Sequence, residues 1–164
     1  MDNQYIDVYG LHGTSKEQAE NIEIGGFDLS KDGYYGQGVY FYEDNNKGMK
    51  YAVRWASRKF HVIGVVRANL FCSSDLYIDL AHPEYGLKDW IIKLSKNKSS
   101  DDTSFNIAVK RLFKNFLYEI EQETGIHCSL VKVFVPEGAH HGWDYGYVAK
   151  DKKIIKSQKM LDTL

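Results

Sequence analysis

Phe105, Val109, Leu112, Phe113, Phe116, Leu117 and Ile120 recur at three- and four-residue intervals, drawing one apolar stripe along a helix that stops at Gly125. Such a helix must lay its stripe on another element, and most of what surrounds it in sequence reads as short strands. Strand patterns fall at 5–11, 39–42, 61–71, 76–80, 129–135, 145–149 and 153–156. Further helices are signalled by Ser15 and Gln18, a capping-box pair closed by Gly25 and Gly26; by Asp44 or Asn45, which can cap a segment carrying Met49, Ala52, Val53 and Ala56; and by Pro83 ahead of Leu87, Trp90, Ile91 and Leu94. Strands and helices mix without a strict βαβ rhythm, which predicts an α+β fold.

The chain of 164 residues is the size of one domain, 1–164, and the polar stretch 95–104 reads as a surface loop within it. A net charge of -1 gives no overall field for nucleic acid or membrane. No apolar run approaches bilayer length and no leader pattern opens the chain, so a cytoplasmic protein with no membrane partner is expected. Cys72 and Cys128 are expected reduced and buried. Twelve tyrosines in a chain that is 14% aromatic suit both a β-rich core and the stacking of flat ligands.

Three stretches carry chemistry. "HGTS" (12–15) sets a histidine hydrogen-bonding edge beside a glycine, where a flat ligand can approach the backbone; by itself it is more often a strand-ending turn. "GYYGQGVYF" (33–41) is a glycine-rich loop that runs into a strand, with no GK[ST] behind it, so it is no phosphate loop. Tyr51, with Lys47 a turn earlier, lies on the helix after that strand and can face Tyr40 across a slot, or simply join the core. His140, His141 and Asp144, and the pair His127–Cys128, match no common zinc spacing, and no metal is expected. The lysines 150, 152, 153, 156 and 159 read as a solvated edge strand, with a phosphate-binding patch as the lesser reading.

In order and spacing, "LHGTS", "GGFD", "YGQGVYF" and "KGMKYA" resemble the catalytic domain of the diphtheria-toxin-like ADP-ribosyltransferases, the group that includes the poly(ADP-ribose) polymerases. The resemblance covers residues 9–56, about a third of the chain. It implies a split β-sandwich of two small sheets with flanking helices, and NAD as co-substrate. His12 would bond a ribose hydroxyl, Gly13 would clasp the nicotinamide carboxamide through its backbone, and Tyr40 and Tyr51 would sandwich the ring. The loop 28–36 would cover the dinucleotide, with Tyr35 against it.

Two positions depart from the family. Gly48 stands where a serine hydroxyl binds the carboxamide, leaving Thr14, Ser15 or water to replace it. Lys152 aligns with the glutamate that opens a late strand, next to Asp151. Asp151 is taken as the catalytic carboxylate, with Glu137 and Asp144 as further candidates. The expected function is mono-ADP-ribosyl transfer from NAD to a protein, RNA or DNA acceptor, by a toxin or effector of bacterial or phage kind that an inhibitor or antitoxin protein could partner. The alternatives are an NAD glycohydrolase, a catalytically inactive NAD- or ADP-ribose-binding module, and a relative of the RNA 2′-phosphotransferases, against which the "GVYF" strand and paired tyrosines argue.

Overall fold

The longest ladder in the protein pairs the alternating, β-branched and aromatic segments at either end of its first seventy residues. In the computed structural model, which describes residues 4–96, 102–136 and 143–162, β1 (Tyr5–Ser15) lies antiparallel to β3 (Ile63–Ser73) along its whole length, from Tyr5↔Ser73 to Ser15↔Ile63. That partner extends β1 four residues beyond the predicted strand, so "HGTS" is strand and not turn. Tertiary pairing overrides the local turn signal of Gly13.

The remaining strands are β2 (Val39–Glu43), β4 (Tyr77–Asp79), β5 (Leu130–Pro136), β6 (Trp143–Ala149) and β7 (Ile155–Met160), in one sheet of order β4-β5-β6-β2-β1-β3-β7. Only β4 and β5 run parallel, as an α+β chain expects. The sheet is single, where two small sheets were expected, because β1 and β2 do pair. They do so through two residue pairs only, Gly10↔Glu43 and Leu11↔Tyr42. Two wings, β4-β5-β6-β2 and β1-β3-β7, thus meet at a narrow joint.

Helices cover both faces. α1 (Lys16–Gly25) begins where Ser15 Oγ accepts the Gln18 N–H at 3.1 Å and ends at Gly26, whose φ of 86° favours glycine. It packs Ala19 into a core with Phe27, Phe41, Ala68 and Leu70. On the opposite face α2 (Asn46–Lys59) packs Ala52 against Leu11 and Val65. The long stripe becomes α4 (Asp102–Thr124), whose Val109, Phe113, Leu117 and Ile120 bury against Val131, Val133 and Val148. The predicted helix from Pro83 is broken: Pro83–Tyr85 is a 3-10 turn, Gly86 turns left-handed at φ 64°, and α3 (Leu87–Lys96) follows. No helix among the described residues is long and apolar enough to cross a membrane.

The β2–α2 turn is tight. Asn45 Oδ1 accepts the Gly48 N–H at 2.7 Å, and a Cβ on Gly48 would collide with the Glu43 carbonyl oxygen. Gly48→Ser should therefore not supply the family's hydroxyl. It should force the turn apart and lower stability by about 2 kcal/mol or more in denaturant titration. A variant as stable as the parent would mean that the turn has room the structure denies it.

Candidate active site

The joint between the wings builds the site. In the β1–β3 ladder the register continues to Lys16, whose N–H donates to Val62 O at 3.0 Å. By antiparallel alternation, Thr14 and His12 also exchange hydrogen bonds with β3, whereas Gly13 turns its N–H and C=O the other way, toward β2. The next hydrogen-bonded pair of the β1–β2 ladder after Leu11↔Tyr42 would join Gly13 to Tyr40, two residues on, and the ladder stops before it. His12 Nδ1–H donates to the Tyr40 carbonyl instead, at 2.8 Å. The β1–β2 pairing thus stops short of Gly13, which is buried.

Helix α2 closes over this point. A Cβ on Gly13 would strike the Ala52 carbonyl oxygen, so only glycine lets the helix come so near. The neighbouring Tyr51 ring stacks on Tyr42 at 5.9 Å between centroids and 23° between planes, with the Arg54 guanidinium 5.3 Å and the Lys47 ammonium 5.8 Å from its centre. Lys47 Nζ also lies 3.7 Å from Asp144 Oδ1. Asp144, the second residue of β6, is 2% exposed, and its Oδ2 has no hydrogen-bond partner among the described residues. Burial raises the carboxyl above its ordinary range, opposed by the Tyr145 N–H and Lys47.

The structure gathers Gly13, Tyr51, Lys47 and Asp144 on one face and sorts the other expected residues elsewhere. Tyr40 does not face Tyr51. Its hydroxyl donates to Gly36 O at 2.6 Å and accepts the Tyr35 N–H at 2.9 Å, and burial pushes it up to about 12. Tyr42, two residues along the same strand and so on the same face, is the ring that meets Tyr51. Alternation alone could have found it. Tyr35 is 1% exposed, stacks on Phe113 at 4.5 Å and donates to Phe134 O at 2.9 Å, which makes it a core residue with no surface for a ligand. Thr14, 4% exposed, donates to Gln18 Oε1 at 2.5 Å.

His12 sits on the opposite face of β1 from Gly13, edge-on to Phe27 and Phe41 at 5.3 and 6.0 Å. Burial lowers its pKa, and since a carbonyl takes its Nδ1–H, Nε2 keeps a lone pair. Asp151 caps the 3-10 turn Lys152–Ile154, accepting the Lys153 N–H at 2.9 Å, at the far end of β6 from Asp144. Lys152 reaches Asp28 at 3.5 Å. Glu137, His140 and His141 lie outside the described residues, as does the loop 97–101. Among the described residues no group of three or more His, Cys, Asp or Glu could hold a metal ion. Two surface hollows, one beside Lys16, Glu20 and Lys59 and one beside Lys114, Glu121 and Lys150, include neither Tyr51 nor Asp144.

No family model matches the chain, and neither a curated protein nor a solved structure matches it significantly.

The lowered His12 pKa has a definite sign. Between the ordinary histidine value of about 6.5 and the lower folded value, the unfolded chain takes up a proton that the folded chain refuses, so stability falls with pH. Thermal midpoints from pH 7 to 5 should drop more steeply for the parent than for His12→Gln. Parallel curves would show that His12 is free to ionise in place.

Proposed function

We propose that the chain is a mono-ADP-ribosyltransferase, in which the place where β1 and β2 part takes the nicotinamide end of NAD. The carrying observation is that the β1–β2 pairing stops short of Gly13, on which α2 lies through Ala52, the neighbour of Tyr51. A primary carboxamide offers one donor and one acceptor side by side, the complement of a single strand residue's C=O and N–H. Tyr51 supplies a ring to stack the pyridine on, worth about 0.5–1.5 kcal/mol beyond area burial.

Asp144 replaces Asp151 as the catalytic carboxylate in this reading. It stands second in a late strand, near where the resemblance expects the family's glutamate, and its Oδ2 has no partner among the described residues while Lys47 steadies Oδ1. In the reaction the bond between ribose C1′ and the nicotinamide nitrogen breaks, and its electron pair leaves with neutral nicotinamide. A nitrogen or oxygen lone pair of the acceptor forms the new bond at C1′, and the acceptor's proton passes to Asp144 or solvent. Positive charge gathers on the ribose as the bond opens, and a carboxylate fixed in a buried site stabilises it without reorganising. Cytoplasmic action as a toxin or effector accords with NAD as co-substrate and with two free, buried cysteines.

Tyr42 is the feature the family pattern does not anticipate. A ring held between two others needs walls about 7 Å apart, two contact distances. Tyr42 and Tyr51 are closer than that. Tyr42 must turn aside for the pyridine to enter between them, and Tyr42→Ala should lower KM for NAD several-fold. A raised KM would make Tyr42 a wall of the site and not its plug.

Incubation with NAD labelled in the adenosine, with cell lysate as acceptor source, tests the whole reading. Label should appear in macromolecules with release of nicotinamide; free ADP-ribose alone would indicate a glycohydrolase, and intact NAD would defeat both. Asp144→Asn should cut turnover about a hundredfold or more with its fold intact. Tyr51→Ala should raise KM about tenfold.

A further inference from the structure

Helix α2 carries Lys47, Lys50, Arg54, Arg58 and Lys59 and no Asp or Glu among its 14 residues, in a chain of net charge -1. Its buried line is Gly48, Ala52 and Ala56. Lys47, Lys50, Arg54 and Arg58 follow one another at intervals of three and four on the other side, all exposed. Like charges so spaced destabilise a helix by about 0.2–0.5 kcal/mol per pair. Lys47 and Lys50 in addition stand near the helix N-terminus, where the macrodipole disfavours cations. No acidic residue occupies the first turn to offset them. Only Arg58 and Lys59, in the last turn, agree with the dipole.

An aromatic row runs beside the cations. Tyr51 lies under Arg54, and Trp55, 40% exposed, lies under the Lys59 ammonium at 4.1 Å. From Lys47 to Arg58 the cation row spans about 16 Å, enough to follow several consecutive phosphates of one strand. It starts at Lys47, against Asp144.

We propose that α2 is a docking surface for single-stranded nucleic acid, and that the docked strand is the acceptor of the ADP-ribose. The acceptor half of the proposal rests on the transferase reading above. A polyanion answers the cation row, and the exposed Trp55 ring selects the single strand, since a base can stack on it only where it is not already stacked in a duplex. A strand laid along α2 brings one nucleotide to Lys47 and Asp144. There a base nitrogen or a hydroxyl oxygen forms the bond to C1′ as nicotinamide leaves, and loses its proton.

Fluorescence anisotropy of a labelled 12-nucleotide single strand, with no NAD present, tests the docking by itself. Four cations on phosphates give a slope of log affinity on log salt of about -2 to -3. Lys50→Gln with Arg54→Gln should weaken binding at least tenfold and flatten the slope by about 1.4. Trp55→Ala should weaken binding about tenfold with the slope unchanged. Circular dichroism checks that each variant folds. A salt-independent parent, a double variant that binds like the parent, tighter binding to a duplex, or displacement of the strand by phosphatidylserine vesicles at lower concentration than by unlabelled strand would overturn the docking. With labelled NAD added, label on the oligonucleotide supports the acceptor assignment, and label on protein alone overturns it. A protein that binds the strand and leaves NAD intact would retain the docking surface and lose the transferase.

Discussion

The pair Leu11↔Tyr42 is the last rung between the two wings of the sheet, and most of the molecule is arranged around the rung that does not follow it. An antiparallel ladder ordinarily continues while both strands last, because each buried backbone group without a partner costs about 1–3 kcal/mol. Here β2 continues to Val39 and β1 to Ser15, yet they part. The Tyr40 carbonyl is compensated by His12. Gly13 is buried beneath α2 and, among the described residues, has no β2 partner in the ladder. A ladder that parts in the interior is a place where a ligand can supply what the missing strand partner would.

The same parting explains the glycine-rich loop. Beyond the joint β2 stays paired with β6 alone, and the chain from Phe27 to Gly38 closes on itself through the Ser30↔Gly38 bridge and is tied further by side chains. Tyr40 ties the loop through Gly36 and the Tyr35 N–H, Tyr35 anchors into α4 and β5, and the Lys150 ammonium donates to the Tyr35 carbonyl at 2.5 Å. Tyrosine suits this work because its ring fills core volume while its hydroxyl satisfies backbone groups that a loop cannot pair internally. Tyr35 and Tyr40 thus hold the frame, and the stacking surface falls to Tyr42 and Tyr51.

Local physics made several elements legible from residues alone. Ser15 and Asn45 cap the helices they were expected to cap, Gly125 ends α4, and the stripe from Val109 to Ile120 is the buried face of that helix. What depends on long-range pairing was less visible. The extension of β1 through "HGTS" is made by β3, some fifty residues away, and the single sheet depends on two rungs that no pattern announces. At the candidate site, the ring that meets Tyr51 is Tyr42, and finding it required strand alternation to be followed from Tyr40. Asp151 stood beside the aligned position, yet a turn claimed its carboxylate, and the buried acid proved to be Asp144.

Asp144 is a liability to the fold as it stands. Its raised pKa means that the folded chain binds the proton more tightly than the unfolded one, so ionisation costs stability as pH rises through the carboxylate range. A neighbouring cation could have removed the cost, but Lys47 stops at 3.7 Å from one oxygen, is itself largely exposed, and shares its charge with the Tyr51 ring. A fully neutralised carboxylate would be stable and inert, and a solvated one would be screened. Held between these limits, buried and with one oxygen unpartnered among the described residues, the group retains the electrostatic pull that a developing positive charge on a bound ligand would satisfy. The charge row of α2 belongs to the same balance: its like charges at three- and four-residue spacing disfavour one another, and an anionic ligand would lower that cost.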